Sequence, residues 1–252
     1  MPTTCKNCNH VFEGKFCNNC GQEADVKRLD FKFLRYKIQD LIFKYFHKGI
    51  LYSVKELYTR PGNTIREYVE GKRVKHFEPI ALLVTIATLY GVLYSYFHIN
   101  PFFDATINTN SLDNIDFTKV NLWMSNHFSL ATCILLPLYA IGSFIAFKKQ
   151  GYNFVEHLIL NTFLASQRLI LRLAVFPLIV LYNGTKTIHT LNDILVMFDI
   201  VLIAWAYCQF FNKLPRVKSL FLSVLSYFIF FMLLMFLFGT AQYIVGMAKQ
   251  VS

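Results

Sequence analysis

The sequence predicts an all-α polytopic membrane protein, with about five transmembrane helices behind a small four-cysteine module and basic amphipathic helices. Three observations predict it. Of the 252 residues, 55% are hydrophobic and only 16% are charged, against about 25% charged in an average soluble domain. Most of the hydrophobic residues after position 78 fall in long, almost uncharged runs. The formal net charge is nevertheless +10, and the excess gathers near the N-terminus. A soluble fold of this length leaves about a quarter of its chain surface in water, too much for this composition, so a soluble one-domain enzyme is excluded. So is a disordered chain, which would be polar and poor in aromatics.

About 20 apolar residues cross a hydrocarbon core. The expected spans are 79–97, 128–147, 154–182, 194–211 and 219–248. The third is the longest and carries polar interruptions, and the fourth contains one charge, Asp199. Pro137 and Pro177 are expected to kink or end helices. Gly142-x-x-x-Ala146 offers a small-residue surface for close helix approach. Cys133 and Cys208 lie in spans and read as buried packing residues. Residues 1–25 contain no apolar signal-peptide core, so the first span is expected to direct insertion.

Orientation follows the Lys and Arg of the flanks. Residues 1–78 and the two short loops after the second and fourth spans carry 20 of them, against 3 on the opposite side. The N-terminus is therefore expected in the cytoplasm and the C-terminus outside. The outer loop over 98–127, with Asp104, Asp113 and Asp116, suits exposure.

Cys5-Lys-Asn-Cys8 and Cys17-Asn-Asn-Cys20-Gly21 stand eight residues apart. Two such pairs predict paired knuckles around a structural Zn2+ held by Cys5, Cys8, Cys17 and Cys20, a zinc ribbon over residues 1–25. Gly21 permits a left-handed turn and Gly14 can turn the joining hairpin. About 25 residues have too little core to fold alone, so the metal supplies the stability. Disulfides are the competing reading, disfavoured in a reducing compartment. Four ligands fill the site, which argues against metal catalysis.

Residues 26–78 read as juxtamembrane amphipathic helices. Leu34, Ile38, Leu41, Ile42 and Tyr45 recur at helical spacing, with Lys32, Arg35, Lys37, Lys44 and Lys48 between them. That pattern suits a helix lying on anionic headgroups. Pro61 fits the first turn of a following helix and Gly71 its C-terminal cap. Arg60, Arg66, Lys72 and Arg73 read either as a surface for lipid or a partner, or as an elbow that seats the first span and is salt-bridged by Glu67 and Glu70.

The two cysteine pairs, the aromatic basic helix, the stretch Thr59-Arg60-Pro61-Gly62-x-x-Ile65-Arg66-Glu67-Tyr68-x-x-Gly71-Lys72-Arg73 and Pro79 together resemble an uncharacterised family. It is a domain-of-unknown-function family of bacterial, mainly Bacteroidetes, integral membrane proteins with an N-terminal zinc ribbon. The resemblance covers residues 1–85 and implies the bacterial inner membrane; it carries no established activity.

Polar groups inside the third span form the other candidate site: Glu156, His157, Arg168 and Arg172, with Asp199 on the fourth span. Arg168 and Arg172 are four apart and share a helix face. An Arg at mid-depth costs at least a few kcal/mol unless it is paired. Counting inward from the run ends at Tyr182 and Ile194 leaves Arg172 and Asp199 roughly 7 Å apart in depth, and a pair between them is expected.

No Ser-His-Asp set, HExxH or phosphate loop is present, so no enzymatic activity is expected. The expected function is an inner-membrane adaptor or scaffold that binds a cytoplasmic protein partner; a homo-oligomer is allowed. The alternative is a channel, pore or transporter using Arg168 and Arg172. Only Lys6 and Lys15 are basic within the ribbon, too thin a footprint for nucleic acid.

Overall fold

The structure, a computed structural model, describes residues 2–26, 50–99 and 128–251. The amphipathic pattern at Leu34–Tyr45 and the loop carrying Asp104, Asp113 and Asp116 lie outside the described residues.

The N-terminal module is built on two short strands, β1 (Thr3–Thr4) and β2 (Val11–Phe12), paired antiparallel with Thr3 opposite Phe12 and Thr4 opposite Val11. Phe12 is its one large buried hydrophobe and packs with the cysteines. Helices follow: α1 (Ile50–Thr59), α2 (Pro61–Glu70), α3 (Pro79–Tyr96), α4 (Phe128–Ala146), α5 (Phe154–Ala174), α6 (Phe176–Leu181), α7 (Thr187–Phe210) and α8 (Arg216–Val251).

Among the described residues, three helices are long and apolar enough to cross a membrane: Pro79–Tyr96, Thr187–Phe210 and the Arg216–Thr240 part of α8. The Leu130–Ala146 part of α4 is apolar but shorter. α5 has the length, about 31 Å, but too many polar residues. Yet α5 is central, packing against α1, α2, α3, α4 and α7. Nearly every residue from Val155 to Gln167 is buried, including Asn161, Thr162, Ser166 and Gln167. Its polarity faces protein.

Boundaries differ from the sequence expectation in three places. The run 154–182 is divided at Val175, because Pro177 cannot continue α5 and instead begins α6. The fourth helix starts at Thr187 rather than 194; its first two turns are polar (Thr187, His189, Thr190, Asn192, Asp193), so the apolar run starts later than the helix. The last helix runs from Arg216 to Val251, 36 residues. Pro137 lies inside α4, which continues through it. Cys133 is exposed and Cys208 only half-buried, so neither is the buried packing residue expected.

The core has two layers along the bundle. The ribbon-side layer joins Leu57, Ile65 and Tyr68 of α1 and α2 to Phe163, Tyr207 and Phe210. The far layer joins Tyr90 and Tyr94 of α3 to Leu169, Phe176 and Ile188. α4 and α8 approach closely at Gly142, where a β-carbon would meet the Ser226 carbonyl oxygen at 2.6 Å; this is the contact its small side chain permits.

Candidate functional site: a cysteine cluster, an elbow and a buried charge group

The cysteine ligand atoms of Cys5, Cys8, Cys17 and Cys20 all lie within 4.8 Å of one another. Cys5 Sγ is 3.5 Å from Cys20 Sγ, and Cys8 Sγ is 3.6 Å from Cys17 Sγ. Metal–sulfur bonds of about 2.3 Å in a tetrahedron set sulfurs about 3.8 Å apart, so the cluster is close enough to hold one metal ion. The two knuckles repeat one backbone pattern. Cys5 N donates to His10 O at 2.9 Å, and Cys17 N donates to Gln22 O at 2.7 Å. Asn9 N returns to Cys5 O as Gly21 N returns to Cys17 O. Asn9 (φ 60°) and Gly21 (φ 74°) occupy matching left-handed positions. The glycine was legible in the sequence. The asparagine, the residue after glycine most tolerant of that region, was not singled out.

Burial pushes the Cys5 thiol up to about 11. Against the same upward push, the Asn7 side chain and the Gln22 backbone draw the Cys20 thiol down to about 6. Metal binding takes all four as thiolates and so releases protons. Elemental analysis of the purified chain is expected to find one metal ion per chain, lost in a Cys17→Ala, Cys20→Ala variant. Equal metal content in the variant would remove the site.

The ribbon rests on the end of α2. Gly71 closes that helix in a left-handed conformation (φ 118°), and a β-carbon there would lie 3.0 Å from both Lys6 Cδ and Val26 Cγ1. A cleft of about 420 Å³ runs beside the contact, lined by Lys6, Glu70, Arg73, Tyr152 and Glu156 among others.

α1 and α2 form an elbow clamped to α5 and α7. Tyr58 OH donates to Gln167 O at 2.5 Å, and Gln167 Nε2 donates back to Leu57 O at 2.7 Å. The N-terminal amides of α2, Gly62 N and Asn63 N, donate to Gln209 Oε1 at 3.1 and 3.4 Å. Arg66 Nη1 donates to Gln209 O at 2.5 Å and Phe210 O at 3.3 Å, capping the end of α7. Two helix termini thereby satisfy one another's orphan groups, and the cation sits at the negative end of the α7 dipole.

Each basic residue of this stretch is engaged within the chain. Arg60 bonds Glu56 and, at 3.0 Å, Glu67. These carboxylates outweigh the burial that would lower it and hold the guanidinium above its ordinary value. Lys72 Nζ lies 3.9 Å from Glu67. Arg73 stacks over the Tyr68 ring at 5.5 Å. Burial pushes the Tyr68 phenol well up and the His76 imidazole beside it down.

Within the bundle, Arg172 Nη2 lies 2.6 Å from Asp199 Oδ2. The pair expected from the sequence is formed, with α7 beginning seven residues before its apolar run and α5 ending two residues after Arg172. Glu156 is not part of this group. It closes a capping box at the start of α5, accepting from Asn153 N at 2.7 Å while Glu156 N donates to Asn153 Oδ1 at 2.9 Å. His157 also lies apart from the arginines, in a buried network. Its Nδ1 is 3.0 Å from Ser143 Oγ, Asn161 Nδ2 donates to the same oxygen at 2.9 Å, and Tyr207 OH donates to Asn161 Oδ1 at 3.1 Å. The sequence held no signal for Ser143, Tyr207 or Gln209, whose partners lie on other helices. Tyr58 stood directly before the Thr-Arg-Pro-Gly stretch, the one available hint.

A family profile described as "Protein of unknown function (DUF3667)" matches residues 48–91. The matched segment is the elbow plus the first two-thirds of α3, the part of the chain that carries Arg60, Pro61, Gly62 and Arg66. This supports membership of an uncharacterised family, and no catalytic family matches. No curated protein and no solved structure matches the chain.

Proposed function

We propose that this protein is an adaptor of the bacterial inner membrane, in which a zinc ribbon on the cytoplasmic side binds a protein partner. The observation carrying this reading is how the ribbon sits. One side leans on Gly71 through Lys6 and Val26, while Val11 and Phe16 on the hairpin are each about 60% exposed. A metal-built module that turns two large apolar side chains outward offers a contact surface rather than a reaction site. Zinc is the metal that an all-thiolate tetrahedral set favours in a reducing compartment. α4 and α5 are read as the second and third of five spans, α5 hidden by its neighbours, with anionic headgroups as further partners.

A photo-crosslinker at Glu13, between the two exposed residues, is expected to trap one protein partner in cells. A Val11→Glu, Phe16→Glu variant that keeps its metal should lose that product; an undiminished product would sink the adaptor reading. The orientation has its own check. A periplasm-active reporter is expected to work after Ser252 and to fail in the Lys148–Lys149 turn, and the reverse pattern would overturn it.

The transport reading has one observation in its favour, a cavity beside Arg168 and Arg172. It is a second reading, because a cavity is not a path through the bundle.

A further inference from the structure

Two guanidinium groups and one carboxylate meet between α4, α5 and α7. Arg172 is satisfied by Asp199 at 2.6 Å. Arg168 is not. Its guanidinium carbon sits 5.1 Å from the centre of the Tyr139 ring, and its buried Nε has no hydrogen-bond partner among the described residues. Asp199 Oδ1 is likewise buried without a hydrogen-bond partner. Beside them lies a cavity of about 180 Å³, lined by Thr132, Tyr139, Arg168, Arg172 and Asp199 and otherwise by leucines and an alanine.

One positive charge is left over in this group. In an apolar bundle such a charge is costly unless a counter-charge accompanies it. The described residues supply none beyond Asp199, and the cavity has room: an apolar cavity of about 150 Å³ already holds a benzene molecule. Its lining selects among anions. Leucine walls disfavour a strongly hydrated dianion, while one Arg edge and the single excess charge match a singly charged group.

We propose that this cavity binds a monoanionic oxygen group, a carboxylate or a phosphodiester, through Arg168. The group comes either from solution as a small carboxylate or from a lipid headgroup as its phosphodiester. The site rests on neither the adaptor nor the transport reading.

The full chain in dodecyl maltoside micelles, which carry no phosphate, is titrated with sodium acetate, with sodium sulfate at matched ionic strength as the dianion control. A parallel set of micelles contains phosphatidylglycerol. Acetate is expected to raise the unfolding midpoint by roughly 3–6 °C for each tenfold rise above its Kd. If the source is lipid, phosphatidylglycerol raises the midpoint instead. Arg168→Gln should abolish the response and Arg168→Lys should retain part of it. Asp199→Asn frees Arg172 and leaves two positive charges, so it should respond more strongly than the native chain. That increase needs no folded Arg168→Gln protein to be read.

No response of the native chain to either ligand overturns the site. So does an equal response to sulfate, a full response in Arg168→Gln, or an unchanged one in Asp199→Asn. Acetate binding without acetate flux in proteoliposomes supports the site and removes the transport reading.

Discussion

Gly62→Ala is expected to lower stability by about 3 kcal/mol or more, although it adds a single methyl group. A β-carbon at this position would lie 2.0 Å from Ala206 O, 2.5 Å from Phe210 N and 2.6 Å from Gln209 Cβ. Two of these are backbone atoms of α7, so no side-chain rotation relieves the clash. α2 has to lift off α7. Lifting it strips Gly62 N and Asn63 N of Gln209, and the end of α7 of the Arg66 cap. The damage therefore exceeds an ordinary overpacking cost. Gly239→Ala is the internal control. It lies in α8 with nothing within 4 Å of the added carbon, and alanine improves helix propensity by up to about 1 kcal/mol. Thermal unfolding of both variants in the same detergent should separate them widely. Equal midpoints would mean that α2 and α7 are not in this contact.

The second large effect concerns Asp199, and its direction is unusual. Breaking a buried ion pair costs about 3–5 kcal/mol, mostly through the charge left behind. Here the two halves are not equivalent. Removing Arg172 leaves Asp199 with Arg168 four residues away on the same face, able to take over. Removing Asp199 leaves two guanidinium groups side by side at one cavity with no carboxylate. Asp199→Ala should therefore cost clearly more than Arg172→Ala, and the reversed pair Arg172→Asp, Asp199→Arg should recover part of the loss. The comparison is made by folded yield and unfolding midpoint. Equal losses with no recovery on reversal would argue that the contact at 2.6 Å contributes nothing.

What could be read in advance divides by distance along the chain. The four-cysteine cluster was legible because its chemistry is local: two pairs, fixed spacing, a glycine directly after. The elbow was half legible. Pro61 and Gly71 mark the ends of α2, but the acceptors of Arg66 lie more than 140 residues away, and no spacing rule reaches them. The Arg172–Asp199 pair could be anticipated from charge alone, because an arginine and a carboxylate in neighbouring spans each need a counter-charge. Hydropathy served α3, α7 and α8 well and α5 badly. The partners of its polar residues lie on other helices, so those positions read as interruptions rather than as contacts.

That burial of α5 bears on how the protein is made. In the five-span reading, a helix carrying Asn161, Gln167, Arg168 and Arg172 is a poor candidate for leaving the translocon into lipid by itself, since an arginine weighs about 2.5–3.5 kcal/mol against insertion at the centre of a helix and less toward its ends. Its partners must already be waiting. α3 and α4 precede it in the chain and both pack on it, but Asp199 arrives only with α7. The third helix would then linger at the exit until the fourth is synthesised, and the order of synthesis becomes part of the folding mechanism.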